Sequence, residues 1–182
     1  MQIDLAKLES DIEALLKKKP KAVIGIDGEV FSGKTTLTRH LGKRFGLKVV
    51  PLDSYLSDPK TRMDAFLDKE RRGRLFEYWF DRVKVKDIFL DADTGHQAVI
   101  IDGTFLLAAI ERKFLDVLIL VSSRAGLKEE RIRRMMENNS LLSPEEATVL
   151  DDIYEGSWGA YLKEFNVESV AIHTCIPGVL LV

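Results

Sequence analysis

The sequence predicts a three-layer α/β fold, with a five-stranded mainly parallel sheet and helices on both faces. Three observations carry this expectation. Five short apolar runs, "AVIGID", "LKVVPLD", "QAVIIDG", "FLDVLILVS" and "VESVAIHT", have the length of buried strands and are separated by stretches of helical pattern. A glycine-rich turn, "GEVFSGKT", joins the first run to a helix. The 182 residues, 46% hydrophobic and 31% charged, suit one domain with a continuous core, residues 1–182.

Each element has its own local warrant. Residues 2–19 place Ile3 or Leu5, Leu8, Ile12 and Leu15 or Leu16 at helical spacing, and Pro20 disfavours continuation. This predicts a flanking helix over 1–20 that packs on the side of the domain, because its apolar stripe is narrow. After the first strand, residues 34–45 read as a helix, and "LKVVPLD" as a second strand. The stretch 58–96 is long, charged and poorly periodic, with room for a short helix or two before a turn at Asp93 to Gly95. "QAVIIDG" is a strand, "TFLLAAIERK" a helix and "FLDVLILVS" a strand; residues 126–139 form a basic helix. The next helix opens with Ser143 as N-cap, Pro144 in the first position and Glu145 and Glu146 in the first turn. "VESVAIHT" closes as the last strand.

Composition narrows the partners. A net charge of -2, with cations scattered among acids, argues against a nucleic-acid or anionic-membrane partner and leaves small molecules. The single cysteine, Cys175, reads as a buried thiol in a reducing compartment. With no apolar run of about 18 residues and no apolar secretion core, a cytoplasmic location is expected. The oligomeric state stays open, a homo-oligomer included.

The chemistry begins at Gly28-Glu29-Val30-Phe31-Ser32-Gly33-Lys34-Thr35, which fits G-x-x-x-x-G-K-[ST], the phosphate-binding P-loop, between a strand and a helix. Glycines let the backbone approach phosphates, successive N–H groups converge on them, and the helix adds its positive end. Gly28, Phe31, Ser32, Gly33, Lys34, Thr35 and Thr36 are the expected nucleotide-binding set, Lys34 also serving catalysis at the β and γ phosphates of ATP. The Thr35 hydroxyl and Asp102, at the end of "AVIIDG", are the expected Mg²⁺ ligands. The guanine-reading N-K-x-D or T-K-x-D and a D-x-x-G switch are absent, so a small-molecule kinase of P-loop NTPase fold is the expected class. Such an enzyme needs a carboxylate near the attacking hydroxyl. Asp53, ending "KVVPLD", is the candidate base, with an N-cap or turn role for "SYLSD" as the alternative.

Together "VIGIDGEVFSGKTTL", "VVPLDSYL" and "VIIDG" resemble the uridine kinase family of nucleoside kinases, which includes nicotinamide riboside kinases and is related to phosphoribulokinase and bacterial pantothenate kinase. The resemblance spans roughly residues 21–140. It implies Asp53 as base, Tyr55 in the acceptor pocket, and Asp102 in the place usually held by Glu. It also implies a lid over about 124–142, whose Arg131 and Arg134, with Arg133 a weaker candidate, close on the transferring phosphoryl group. The acceptor it implies is nucleoside-like. Two stretches depart from the family pattern, "FEYWFDRVKVKD" after the base and "ENNSLLSPEEA" after the lid. The alternatives are a pantothenate-like alcohol or a sugar phosphate as acceptor, or an ATP-binding module that regulates a partner.

Some clusters carry two readings. Lys69, Arg71, Arg72, Arg74 and Arg82, interleaved with Phe76, Tyr78, Trp79 and Phe80, could bind an anionic or stacking acceptor, Arg82 included, or form a solvated helix end with aromatics in the core. "KEERIRR" could equally be a solvent-facing helix with ion pairs at i, i+4. Tyr154, Trp158 and Tyr161 fall at helical spacing and read as packing. His40, His96 and His173 have no ligand spacing. Within the loop, Val30 and Phe31 are expected to pack on neighbouring segments. Glu29, a carboxylate beside phosphates, is expected to face the acceptor side and meet a substrate hydroxyl or a lid cation.

Overall fold

The computed structural model describes residues 2–88, 98–122 and 128–174. Within them the strands β1 (Gln2–Ile3), β2 (Val23–Gly28), β3 (Lys48–Pro51), β4 (Val99–Gly103), β5 (Val117–Val121) and β6 (Ile172–Thr174) form one sheet in the order β1-β6-β5-β2-β4-β3. Every pairing is parallel. The helices are α1 (Leu5–Lys18), α2 (Lys34–Phe45), α3 (Pro59–Leu67), α4 (Leu106–Ala109), α5 (Lys128–Asn138), α6 (Pro144–Glu164) and α7 (Val167–Val170).

Side-chain alternation sorts the strands into two cores. Ile24 and Ile26 of β2, Ile100 of β4, and Ile119 and Val121 of β5 meet Leu8 and Ile12 of α1 and Leu37 and Leu41 of α2. One residue out of phase, Val99, Ile101, Leu118 and Leu120 face the other layer, built on Phe105, Leu106 and the α6 residues Tyr154, Trp158 and Tyr161. Each fully buried isoleucine contributes roughly 1.5–3 kcal/mol, so both layers are strongly held. The chain leaves β2 through α2 to β3, returns to β4 beside β2, and then crosses to β5 on β2's other flank. That reversal opens a crevice at the carboxyl ends of β2 and β4.

Three expectations change. The sheet has six strands, because Gln2–Ile3 pairs with His173 and Thr174 ahead of α1, which starts after the N-cap Asp4. A two-residue strand has no periodicity; an available sheet edge creates it. The segment "TFLLAAIERK" yields only the single turn α4, because Phe105 adopts φ 62° and sits within 5.2–5.8 Å of the rings of Trp79, Tyr154, Trp158 and Tyr161. Aromatic packing overrides helix propensity there. Residues 167–170 form a helical turn, so the last strand shortens to Ile172–Thr174. Around α3, the stretch after β3 is folded into the 3₁₀ turns Leu52–Tyr55, Arg72–Glu77 and Lys84–Asp87. The turn expected at residues 93–95, His96 and Cys175 lie outside the described residues.

Candidate functional site

The loop after β2 is shaped by its glycines. A Cβ on Gly28 would stand 2.5 Å from the Val121 carbonyl oxygen and 2.8 Å from Ser32 Oγ, so no side chain fits. Gly33, the N-cap of α2, has φ 95°, which favours glycine. Phe31 takes φ 64°, a conformation costing about 1–2 kcal/mol for a residue with a side chain. Its ring is half-buried and carries the Arg134 guanidinium 5.6 Å from its centroid. Phe31, expected to pack on neighbouring segments, thus also walls the crevice beside the loop.

That crevice is a cavity of about 530 Å³. Lys34 and Thr35 line it from the start of α2, Asp53 from the turn after β3, Asp102 from the end of β4, and Trp79 from the irregular stretch. Lys34 Nζ donates to the Glu29 carbonyl oxygen at 2.9 Å. Burial pulls its pKa down, and the charges of Asp27, Asp102, Asp53 and Glu29 pull it back up. Burial likewise raises the pKa of Asp102, against the Thr38 hydroxyl and Lys34. Asp53 is exposed at the cavity wall.

The structure separates some expected site residues from this cavity. Tyr55 is buried in the core, because three residues per 3₁₀ turn put Leu52 and Tyr55 on one inward face and leave Asp53 outside. Arg82 is exposed and lines a different hollow of about 390 Å³ with Phe80, Glu164 and Phe165. Gly28, Ser32, Gly33 and Thr36 belong to the loop and first turn of α2 without lining the cavity. Trp79, which the sequence offered either as an acceptor-stacking ring or as core, lines it; Arg39 also lines it and was not placed there from the sequence, where a cation four residues after Thr35 on the same helix face was the available signal.

Behind the loop stands α6. The Tyr161 hydroxyl donates to Asp27 Oδ2 and accepts from Leu107 N at 2.8 Å. The Tyr154 hydroxyl accepts from Val30 N at 2.9 Å, and Thr104 Oγ1 donates to the Gly28 carbonyl at 3.1 Å. Read as packing, the tyrosines do pack, but their hydroxyls also fix the loop's entry. Asp27 is fully buried, and burial outweighs the bonds from Tyr161 and Gly28 N, raising its pKa from 3.8 to about 6. The folded state therefore holds this proton more tightly than the unfolded one, and Asp27's contribution to stability falls as pH rises from about 4 to 6. Asp27→Asn is expected to remove that slope: thermal melts should show wild type losing stability relative to the variant between pH 4 and 6.5, and parallel curves would contradict this.

The expected lid residues are largely engaged. Of the segment 124–142, the helix α5 carries Arg131, whose guanidinium pairs twice with Asp151 of α6, at 2.8 and 2.9 Å, and also with Glu155. A further bond of 3.3 Å reaches Glu29 in the loop. Arg131 is 5% exposed and Asp151 0%. Hydrogen bonds donated to Asp151 raise the pKa of Arg131 further, so it stays cationic throughout. Arg134 pairs with Glu130 at 2.6 Å while covering Phe31, and Arg133 pairs with Glu130 and Glu137 at the surface. The acids Asp151, Asp152 and Glu155 cluster closely enough for a metal ion, but Arg131 and Lys128 already neutralise them.

No protein-family model and no curated protein matches the chain. Among solved structures it is similar to a possible uridine kinase from Bacillus stearothermophilus, with TM-score 0.60 and 16% identity over 93% of this chain and 100% of that one. TT1252 from Thermus thermophilus gives 0.48 at 20% identity, over 89% and 92% of the two chains. A sugar kinase from Janibacter sp. HTCC2649 gives 0.42 at 15% identity, over 85% and 100%. The first of these likenesses defines a P-loop kinase-like α/β fold. No helix among the described residues is long and apolar enough to cross a membrane.

Proposed function

We propose that the chain is an ATP-dependent kinase that transfers the γ-phosphoryl group to a hydroxyl of a small metabolite. The observation that carries this reading is the convergence of Lys34, Thr35, Asp53 and Asp102 on one cavity at the carboxyl edge of a parallel sheet. The loop suits a triphosphate. Gly28 leaves room for close backbone approach, and Ser32 Oγ is buried without a hydrogen-bond partner among the described residues. Thr35 and Asp102 are a hydroxyl and a carboxylate, the oxygen donors that Mg²⁺ takes.

Mg²⁺·ATP supplies the phosphoryl group and part of the charge neutralisation. The chain's residues do the positioning. Loop N–H groups and Lys34 hold the phosphates, and Asp53 orients the acceptor hydroxyl and takes its proton as the oxygen bonds to the γ phosphorus and ADP leaves. Lys34→Ala is expected to abolish phosphoryl transfer. An ATP-consumption screen over nucleosides, vitamins and sugar phosphates tests the whole reading: one stimulating acceptor supports a kinase, and ATP binding with no stimulating acceptor points to a regulatory module.

A further inference from the structure

The cavity holds one cation that the reaction above does not use. Arg39 lies on α2 one turn beyond Thr35, so that Thr35, Thr38 and Arg39 share a helix face and all line the cavity. Its other neighbours in the wall include Val49 and Pro51 of β3, the strand that delivers Asp53. Lys34 is already ringed by carboxylates. Arg39 forms no ion pair or hydrogen bond with another described residue. Arg44, Arg71, Arg74, Arg131, Arg133 and Arg134, by contrast, each meet a carboxylate. Of the arginines that the sequence offered for anion contacts, Arg71 is committed to Asp68 and the Tyr78 ring, Arg74 to Glu77 and Glu164, and Arg82 lines the other hollow. Arg39 is exposed at the cavity wall, and a guanidinium there without a counter-charge suits a planar or tetrahedral anion, because its forked donors match carboxylate and phosphate.

We propose that Arg39 binds an anionic group on the acceptor, so that the molecule phosphorylated is an alcohol bearing a phosphate or a carboxylate rather than a neutral nucleoside. This rests on the kinase reading and narrows it. Asp53 then addresses the acceptor's hydroxyl and Arg39 its charged end, which fixes which hydroxyl faces the γ phosphoryl group.

Two measurements test it. In the ATP-consumption assay, acceptors are supplied in pairs that differ only in charge: a polyol and its monophosphate, a hydroxy amide and its hydroxy acid. The anionic member is expected to stimulate turnover, the pair that responds telling phosphate from carboxylate. Arg39→Gln should raise the acceptor KM about 10–100-fold with kcat and the ATP KM little changed, and Arg39→Lys should restore part of it. Stimulation by neutral acceptors alone, or an unchanged acceptor KM in Arg39→Gln, overturns the proposal. Independently of turnover, calorimetry with inorganic phosphate, the loop saturated by a non-hydrolysable ATP analogue and Mg²⁺, should show binding to wild type that weakens about 10-fold or more in Arg39→Gln. Equal binding to both proteins, or none to wild type, overturns the Arg39 site. Phosphate bound through Arg39 with no acceptor ever turned over removes the kinase reading and leaves the anion site standing.

Discussion

Asp53→Asn is expected to lower kcat by about 10²–10⁴-fold while leaving the KM for ATP within about twofold, the pattern of a lost proton acceptor rather than a lost binding contact. The substitution keeps the shape of the side chain and its place in the cavity wall and removes only its basicity. Because Asp53 is the exposed second residue of a 3₁₀ turn whose buried face is Leu52 and Tyr55, the fold has little stake in its charge. Melting temperature should stay near that of wild type, which separates a catalytic loss from a structural one. Turnover equal to wild type would remove Asp53 from the base role and return it to the turn role that its position also allows. The measurement is steady-state kinetics against ATP and against the stimulating acceptor, with a melt of the same preparation.

Arg131→Ala is expected to have the largest effect on stability, about 3–5 kcal/mol, because it leaves the fully buried Asp151 carboxylate without its partner. In a chain of this size that corresponds to a fall in Tm of roughly 6–20 °C. The double substitution Arg131→Met with Asp151→Leu should recover most of the loss, since replacing a buried ion pair by apolar side chains is often close to neutral. Chemical denaturation of the single and double variants checks this. The prediction separates two roles for Arg131. An arginine that served only to close on the phosphoryl group would, when replaced, lower turnover and leave stability unchanged; one that ties α5 to α6 and to Glu29 must lower stability first.

The parts of the fold legible in the sequence are those whose cause is local. The loop between β2 and α2 is written in Gly28, Gly33, Lys34 and Thr35 within a few residues of one another, and α2 begins and ends where its pattern indicates. The Ser143–Glu146 capping box announces α6 in the same way, with Glu146 N bonded to Ser143 Oγ at 3.2 Å. What was not legible depends on partners far along the chain. Gln2 and Ile3 become a strand only because β6 lies beside them. Phe105 breaks its helix because an aromatic cluster assembled from two other segments, the stretch at Trp79 and α6, accepts its ring. Arg131 reads as a mobile basic side chain until Asp151, twenty residues on and on another helix, is seen beneath it. For Tyr55 and Asp53 the sequence placed both near an acceptor, and the tight turn between them sends one inward and the other out. Trp79 lay in a stretch with no usable periodicity, so nothing in it distinguished a cavity wall from core filling.

The bonds from Tyr161 to Asp27 and from Val30 to Tyr154 span 134 and 124 residues. A loop whose motif is complete by Thr35 is therefore finished by side chains made much later. At a synthesis rate of about 5–20 residues per second, roughly 7–27 s separate the appearance of Gly28 from that of Tyr161. During that interval Asp27 has no tyrosine above it and no burial to raise its pKa, so it is ionised like any solvated aspartate, and the loop has no backing. Contacts of such long range also slow folding. The nascent chain thus carries its complete glycine loop for many seconds before α6 has emerged to back it.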